Sequence, residues 1–265
     1  MCDLMRTLNI ILIIAVVATF AIVFFVINSG NSNSNIIVTA QDNVAVNKTF
    51  ISELSAIANN KSLAASVGTG ITSNLPAAKS NYTLLKSGGK PEILYIGADY
   101  CPFCAITRWG LILALMRFGN FTNLHYMTSS SSDAYANSPT FTFYNSSYNS
   151  NIINFTEVEL QTNQLNTTTS NYPQLQSLTP FQRLVFGKYN KVGSIPFIDF
   201  GNYSIQIGAE ITPQLISNLN WQQVENNIKT PTTPLAQGII GMANIYTEQI
   251  CTEINNTASA CKTNN

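Results

Sequence analysis

The hydrophobic pattern changes character twice along the chain. Residues 8–27 are almost wholly apolar, interrupted only by Asn9 and Thr19. About 20 apolar residues at helical rise match the hydrocarbon core of a bilayer, so the run predicts a transmembrane helix. It ends Phe24-Phe25-Val26-Ile27 and lacks a small-residue cleavage pattern, which favours a retained anchor over a signal peptide. Residues 28–45 open on a polar Asn/Ser/Gly spacer and predict a flexible linker. Beyond it, periodic patterns take over. Val46, Phe50, Leu54, Ile57 and Leu63 share one helical side and predict a helix within an N-terminal extension, 46–90.

The main domain is expected over 91–265. Its first element is a strand-like run, Ile93-Leu94-Tyr95-Ile96, broken at Gly97-Ala98-Asp99-Tyr100. An apolar helix follows from Pro102 to Phe118, and Leu124 to Met127 reads as the next strand. Residues 131–171 look like an insertion, with short half-buried strands in 140–144 and 152–160. Helical spacing resumes over 172–189. Phe197 to Phe200 and Tyr203 to Ile207 then pair through a Gly201-Asn202 turn. Thr212-Pro213 and Trp221 to Ile228 open further helical stretches, and the last helix is expected over 235–254, followed by a tail. Strands alternating with helices predict an α/β fold with a central mixed sheet flanked by helices.

Composition narrows the function classes. Net charge is zero and only 10% of residues are charged, so the chain carries no electrostatic footprint for nucleic acid. Asn, Ser and Thr must carry solubility, a surface with little charge to lose in an acidic medium. Arg6 is the only basic residue flanking the anchor, which places residues 1–7 in the cytoplasm. Asn-x-Ser/Thr sequons begin at Asn47, Asn60, Asn81, Asn120, Asn145, Asn154, Asn166, Asn202 and Asn255, all beyond the anchor. The expected arrangement is a single-pass membrane protein with an extracellular, glycosylated C-terminal domain.

The candidate chemistry lies in Cys101-Pro102-Phe103-Cys104, at the junction of strand and helix. A helix N-terminus carries partial positive charge and unpaired N–H groups, both of which favour thiolate at the first cysteine. Pro102 suits the first helical turn. Such a pair also serves as half of a structural zinc site or as an inert disulfide. Zinc would need further ligands from His125, Cys251 and Cys261, and the spacing of the last two is too long for a knuckle. No metal and no cofactor are expected. Cys251 and Cys261 read as a staple for the tail, with an electron-shuttle role as the alternative. Ile195-Pro196 stands immediately before an apolar strand, where a proline loses a ladder hydrogen bond. Arg108 is expected to snorkel or cap, and His125 to pack within its strand.

The motifs together resemble one family. They are Gly88-Gly89-Lys90-Pro91-Glu92 running into the Cys-Pro-Phe-Cys segment, Arg108-Trp109, Arg117-Phe118-Gly119, Ser138 to Tyr144, Ile195-Pro196-Phe197-Ile198-Asp199, Trp221-Gln222-Gln223 and the closing cysteines. The chain resembles the archaea-rich family called domain of unknown function nine-two-nine, a membrane-anchored branch of the thioredoxin-like group. The resemblance implies a three-layer thioredoxin-like fold with an inserted segment, Cys101 and Cys104 as the redox pair, and Pro196 as a cis proline. Ile195 and Pro196, with Pro102 and Phe103, would bind substrate. The buried carboxylate of thioredoxins, six residues before the first active cysteine, is replaced by Tyr95. Asp99 is nearer, and its charge would raise the thiol pKa. The implied activity is thiol–disulfide oxidoreduction or isomerisation, with exported cysteine-containing proteins or a membrane redox partner as partners. A non-enzymatic scaffold in an envelope complex, with both cysteine pairs permanently oxidised, is the alternative.

Overall fold

A computed structural model describes residues 42–72, 77–78 and 85–262. Its elements in chain order are α1 (Lys48–Ala58), α2 (Lys61–Val67), β1 (Ala77–Ala78), β2 (Lys86–Ser87), β3 (Lys90–Gly97), α3 (Pro102–Leu115), β4 (Asn120–Thr122), β5 (His125–Thr128), β6 (Pro139–Thr142), β7 (Ser147–Asn149), β8 (Asn154–Glu159), α4 (Pro180–Tyr189), β9 (Phe197–Phe200), β10 (Ser204–Ile207), α5 (Trp221–Ile228) and α6 (Pro234–Glu253). Short 3₁₀ turns cover Pro213–Leu215 and Ser259–Cys261. The predicted anchor at 8–27, the spacer, Cys2 and the sequon at Asn81 lie outside the described residues. Among the described residues no helix is long and apolar enough to cross a membrane. That finding corrects the single-pass arrangement with an extracellular domain.

The α/β expectation holds as a mixed architecture. In the central sheet β1, β10, β9 and β3 lie side by side. Strand β8 runs parallel to β3, with Ile93 opposite Phe155 and Gly97 opposite Glu159. Strand β9 runs antiparallel to β3, with Ile96 opposite Phe197, and β10 returns antiparallel along β9. Strand β3 enters from a two-residue turn at Gly88 and Gly89, whose φ of 54° and 83° are the positive values that a tight hairpin requires. Residues Ile93 to Gly97 are buried on both faces, as befits a strand with neighbours on each side and helices above and below. On one face Leu94, Ile96, Val158 and Phe197 pack against Val185 of α4. The other face meets α3 and α6, where Phe200 lies 5.3 Å from Tyr246. Each such apolar side chain contributes roughly 1.5–3 kcal/mol.

Differences from the predicted elements have local causes. The helix expected to carry Val46, Phe50, Leu54, Ile57 and Leu63 divides at Asn59-Asn60, because Asn60 caps a new start by accepting from the Leu63 N–H. Helix α4 occupies only the last part of 172–189, starting where Thr179 and Gln182 form a capping box ahead of Pro180. Strand β8 was expected within an insertion, yet it occupies the central sheet. The strand expected over 124–127 appears as β5, which pairs with β6 in a separate hairpin and on its other side bonds residues 43–46, the end of the stretch expected as linker. That hairpin is fastened to α3: the Trp109 Nε1–H donates to the Pro139 carbonyl at 2.8 Å, and Thr140 Oγ1 donates to the Ala105 carbonyl at 2.9 Å.

Candidate functional site

Strand β3 ends at Gly97, and the next four residues turn the chain into α3. The Asp99 N–H bonds to the Gln161 carbonyl, the Cys101 N–H to the Ala98 carbonyl, and the Tyr100 carbonyl accepts from Ser130. Cys101 thereby becomes the N-cap of α3, with Pro102 at the first helical position. Its sulfur accepts the Cys104 N–H at 3.3 Å. Both cysteines are free thiols. Cys101 keeps 5% of its surface exposed and Cys104 none, so an incoming sulfur reaches Cys101 alone.

The two thiols titrate apart. The Cys101 thiol is pulled down by the hydrogen bond from the Cys104 side chain above all; burial opposes this, and the backbone N–H of Cys104 and the charge of Arg108 add to the lowering. The Cys104 thiol is pushed well up by burial and by its neighbour Cys101, only partly offset by Arg108. A nucleophile at the rim and a protonated partner one turn inside is the asymmetry that exchange chemistry needs.

Beneath the thiols lies a charged cluster. Arg108 does not snorkel or cap; it is fully buried, one turn beyond Cys104 on α3. Its Nε and Nη2 donate to the two carboxylate oxygens of Glu159, at 2.9 and 2.7 Å, and Nη2 also bonds the Ala98 carbonyl at 2.8 Å. Glu159 ends β8 and is fully buried. Its partnership compensates a guanidinium that would otherwise be costly to bury. Asp99, 2% exposed, lies 3.5 Å from Arg108. Burial first, then repulsion from Glu159, pushes the Asp99 pKa to about 8. Burial thus favours the neutral form of Asp99 beside the guanidinium. Of the neighbouring charges it is Arg108 that helps to lower the Cys101 thiol. Tyr95, also fully buried, sets its ring 5.8 Å from the Arg108 guanidinium carbon.

Aromatic side chains surround the rim. Phe103 is 42% exposed and meets Tyr135 edge-on at 6.1 Å. Tyr100 stacks on Tyr172 at 4.1 Å. Pro102 is buried. The Ile195–Pro196 peptide is cis, with Ile195 half-buried and Pro196 buried. Register puts Pro196 at the end of β9 that pairs with Ile96, the same end of the sheet at which β3 delivers Cys101.

Residues 76–182 match the family described as Domain of unknown function (DUF929). That is the family expected from the motifs. The matched segment holds β3, both thiols, Arg108 and Glu159, and stops short of Ile195-Pro196 and of the C-terminal cysteines. No curated protein and no solved structure matches the chain.

The remaining predicted positions lie apart from this site. Cys251 and Cys261 are joined in a disulfide, Cα atoms 5.5 Å apart, which removes both as zinc ligands. Among the described residues no group of three or more His, Cys, Asp or Glu side chains stands ready for a metal ion. Of the sequon asparagines, Asn47, Asn60, Asn120, Asn145, Asn166 and Asn255 are exposed, whereas Asn154 and Asn202 are half-buried. The residues missed by the sequence reading are Glu159 and the true setting of Arg108. One arginine in an otherwise apolar helix and one glutamate closing a strand were the available signal.

Proposed function

We propose that the chain is a thiol–disulfide oxidoreductase on a thioredoxin-like fold, acting on cysteine-containing proteins. The observation that carries this reading is the asymmetry of the two thiols: Cys101 at the helix N-cap, reachable and depressed in pKa, and Cys104 sealed and protonated. The sheet supports the fold assignment. A parallel pair, β3 and β8, is linked through α3 and the four short strands β4 to β7, and an antiparallel hairpin, β9 and β10, lies beyond β3. In that fold the backbone before the proline at the sheet end, here Ile195-Pro196, docks an extended substrate segment by strand addition. Phe103 and Pro102 would form the other wall.

In the reductive direction the Cys101 thiolate attacks one sulfur of a substrate disulfide. The substrate S–S bond breaks, a mixed disulfide forms, and the departing substrate sulfur takes up a proton. Cys104 then loses its proton and attacks the Cys101 sulfur. The Cys101–Cys104 bond forms and the second substrate sulfur leaves as a thiol, so two electrons pass from protein to substrate. Oxidation of a client runs the same steps backwards.

The test is turnover of a disulfide substrate by the reduced protein. Cys101→Ser should abolish it, and Cys104→Ala should accumulate a mixed disulfide at Cys101. Wild-type turnover by Cys101→Ser would end the proposal. The low exposure of Cys101 favours the scaffold alternative, with the pair held permanently oxidised. A reduction potential below about −300 mV for Cys101–Cys104 would choose that alternative.

A further inference from the structure

Away from the thiols, a cleft of about 630 Å³ opens where α2, the end of α3, α6 and the disulfide-stapled turn meet. Such a volume suits a small organic ligand. Its walls combine the small apolar side chains of Ala64, Ala65 and Ala260 with Lys61, Lys262 and Arg117. The guanidinium of Arg117 is only half satisfied. Its Nε donates to the Ala58 carbonyl at 2.9 Å and its Nη1 to Thr247 Oγ1 at 2.8 Å, whereas its buried Nη2 has no hydrogen-bond partner among the described residues. Nor does a carboxylate of the described residues form a salt bridge with it, in contrast to Arg108. Burial alone pulls its pKa down to about 10, still a full positive charge at neutral pH.

A buried cation without a counter-charge is costly, and the cost is recovered when an anion binds. Two lysines at the same mouth raise the local positive potential further. Asn244, also in the wall, spends its Nδ2 on the Ala64 and Gly68 carbonyls and leaves its buried Oδ1 without a partner among the described residues. Among the described residues, an unpaired guanidinium donor above an apolar floor fits an amphiphilic anion.

We infer that this cleft binds a small organic acid, with the carboxylate on Arg117 Nη2 and the apolar body against Ala64, Ala65 and Ala260. The planar guanidinium edge matches a carboxylate, and Lys61 and Lys262 hold the charge from the solvent side. The disulfide Cys251–Cys261 fixes the turn that carries Ala260 and Lys262, so its integrity is part of the site. The assignment is independent of the redox reading.

Calorimetric titration of the full chain with sodium hexanoate, hexanol and inorganic phosphate tests it. Hexanoate should bind with saturation, and hexanol and phosphate each at least about tenfold more weakly, a factor set by the charge-assisted bond and the apolar contact respectively. Lys262→Ala and Lys61→Ala, both exposed positions, should each weaken hexanoate several-fold, and Arg117→Gln should remove binding. Equal binding of hexanol would reduce the site to an apolar hollow and overturn the assignment. Phosphate binding as tight as hexanoate, or hexanoate affinity unchanged in both lysine variants, would overturn it as well.

Discussion

Cys101 and Cys104 are chemically alike and three residues apart, and their difference comes wholly from what surrounds each sulfur. Cys101 receives a backbone N–H and the Cys104 side chain; Cys104 receives burial. Cys104→Ala should therefore raise the Cys101 pKa and slow its alkylation by iodoacetamide about tenfold at pH 7, since a hydrogen bond to a charged group contributes about 1.5–3 kcal/mol. Cys104→Ser, which keeps a donor, should retain most of the rate. Unchanged alkylation in the alanine variant would remove the side-chain bond from the account. Arg108 gives a second prediction. Replacing it by Leu leaves Glu159 buried and unpaired and should cost about 3–5 kcal/mol in chemical denaturation. The pair Arg108→Leu with Glu159→Leu should lose clearly less than the single change, because the ion pair fails as a unit. Equal losses would mean that Arg108 acts by packing. The cysteine motif announced the nucleophile, since its spacing and its proline are local. The Arg108–Glu159 pair was hidden, because it joins residues 51 positions apart whose meeting depends on β8 lying beside β3.

Helix starts were legible at Cys101, Thr212 and Thr233 but not at Thr179, where the helical spacing ran back to 172. Cys101-Pro102, Thr179-Pro180, Thr212-Pro213 and Thr233-Pro234 each combine a capping side chain with a proline in the first turn, and each opens a helix or 3₁₀ turn. The place of β8 was not legible. Alternating apolar and polar residues identify a half-buried strand but not the sheet it joins, and here the polar Glu159 is buried because a guanidinium awaits it. Helix α6 shows how elements lock together. Gly241 lies against the turn after α2, where an added Cβ would stand 2.4 Å from the Thr69 carbonyl oxygen, a backbone atom that cannot yield cheaply. Gly241→Ala should destabilise by about 1–3 kcal/mol, read as a lower melting temperature. The disulfide closes a loop with a sequence separation of 10. Its removal by Cys251→Ala with Cys261→Ala should cost about 2–3 kcal/mol on loop entropy and leave disulfide turnover at Cys101 intact. A loss of turnover in a folded double variant would reinstate the shuttle role for that pair.

At the scale of the whole molecule, charge is scarce outside, and three carboxyls set partly or wholly inside favour the neutral form. Only 10% of residues are charged, so surface titration changes little. Inside, burial pushes Glu157 to about 7, Asp99 to about 8 and Glu253 to about 9, with repulsion from Glu159 adding to the first two and from Asp199 to the last. The folded chain thus holds protons that the unfolded chain releases near pH 4. By linkage, stability from these groups is fully present below the ordinary carboxyl range and is lost as pH rises through about 7 to 9. The melting temperature should fall between pH 5 and pH 9, by at least about 5 °C, the opposite of the usual rise from acid towards neutrality. Glu253 closes α6, buried, with neither carboxyl oxygen hydrogen-bonded among the described residues. Glu253→Gln keeps the shape and removes the titration. It should melt close to wild type at pH 5 and above it at pH 9, where the wild-type chain must bury a charge or open the helix end. A melting temperature that rises from pH 5 to pH 9, or a Gln variant that tracks wild type throughout, would show that these carboxyls ionise freely in the fold.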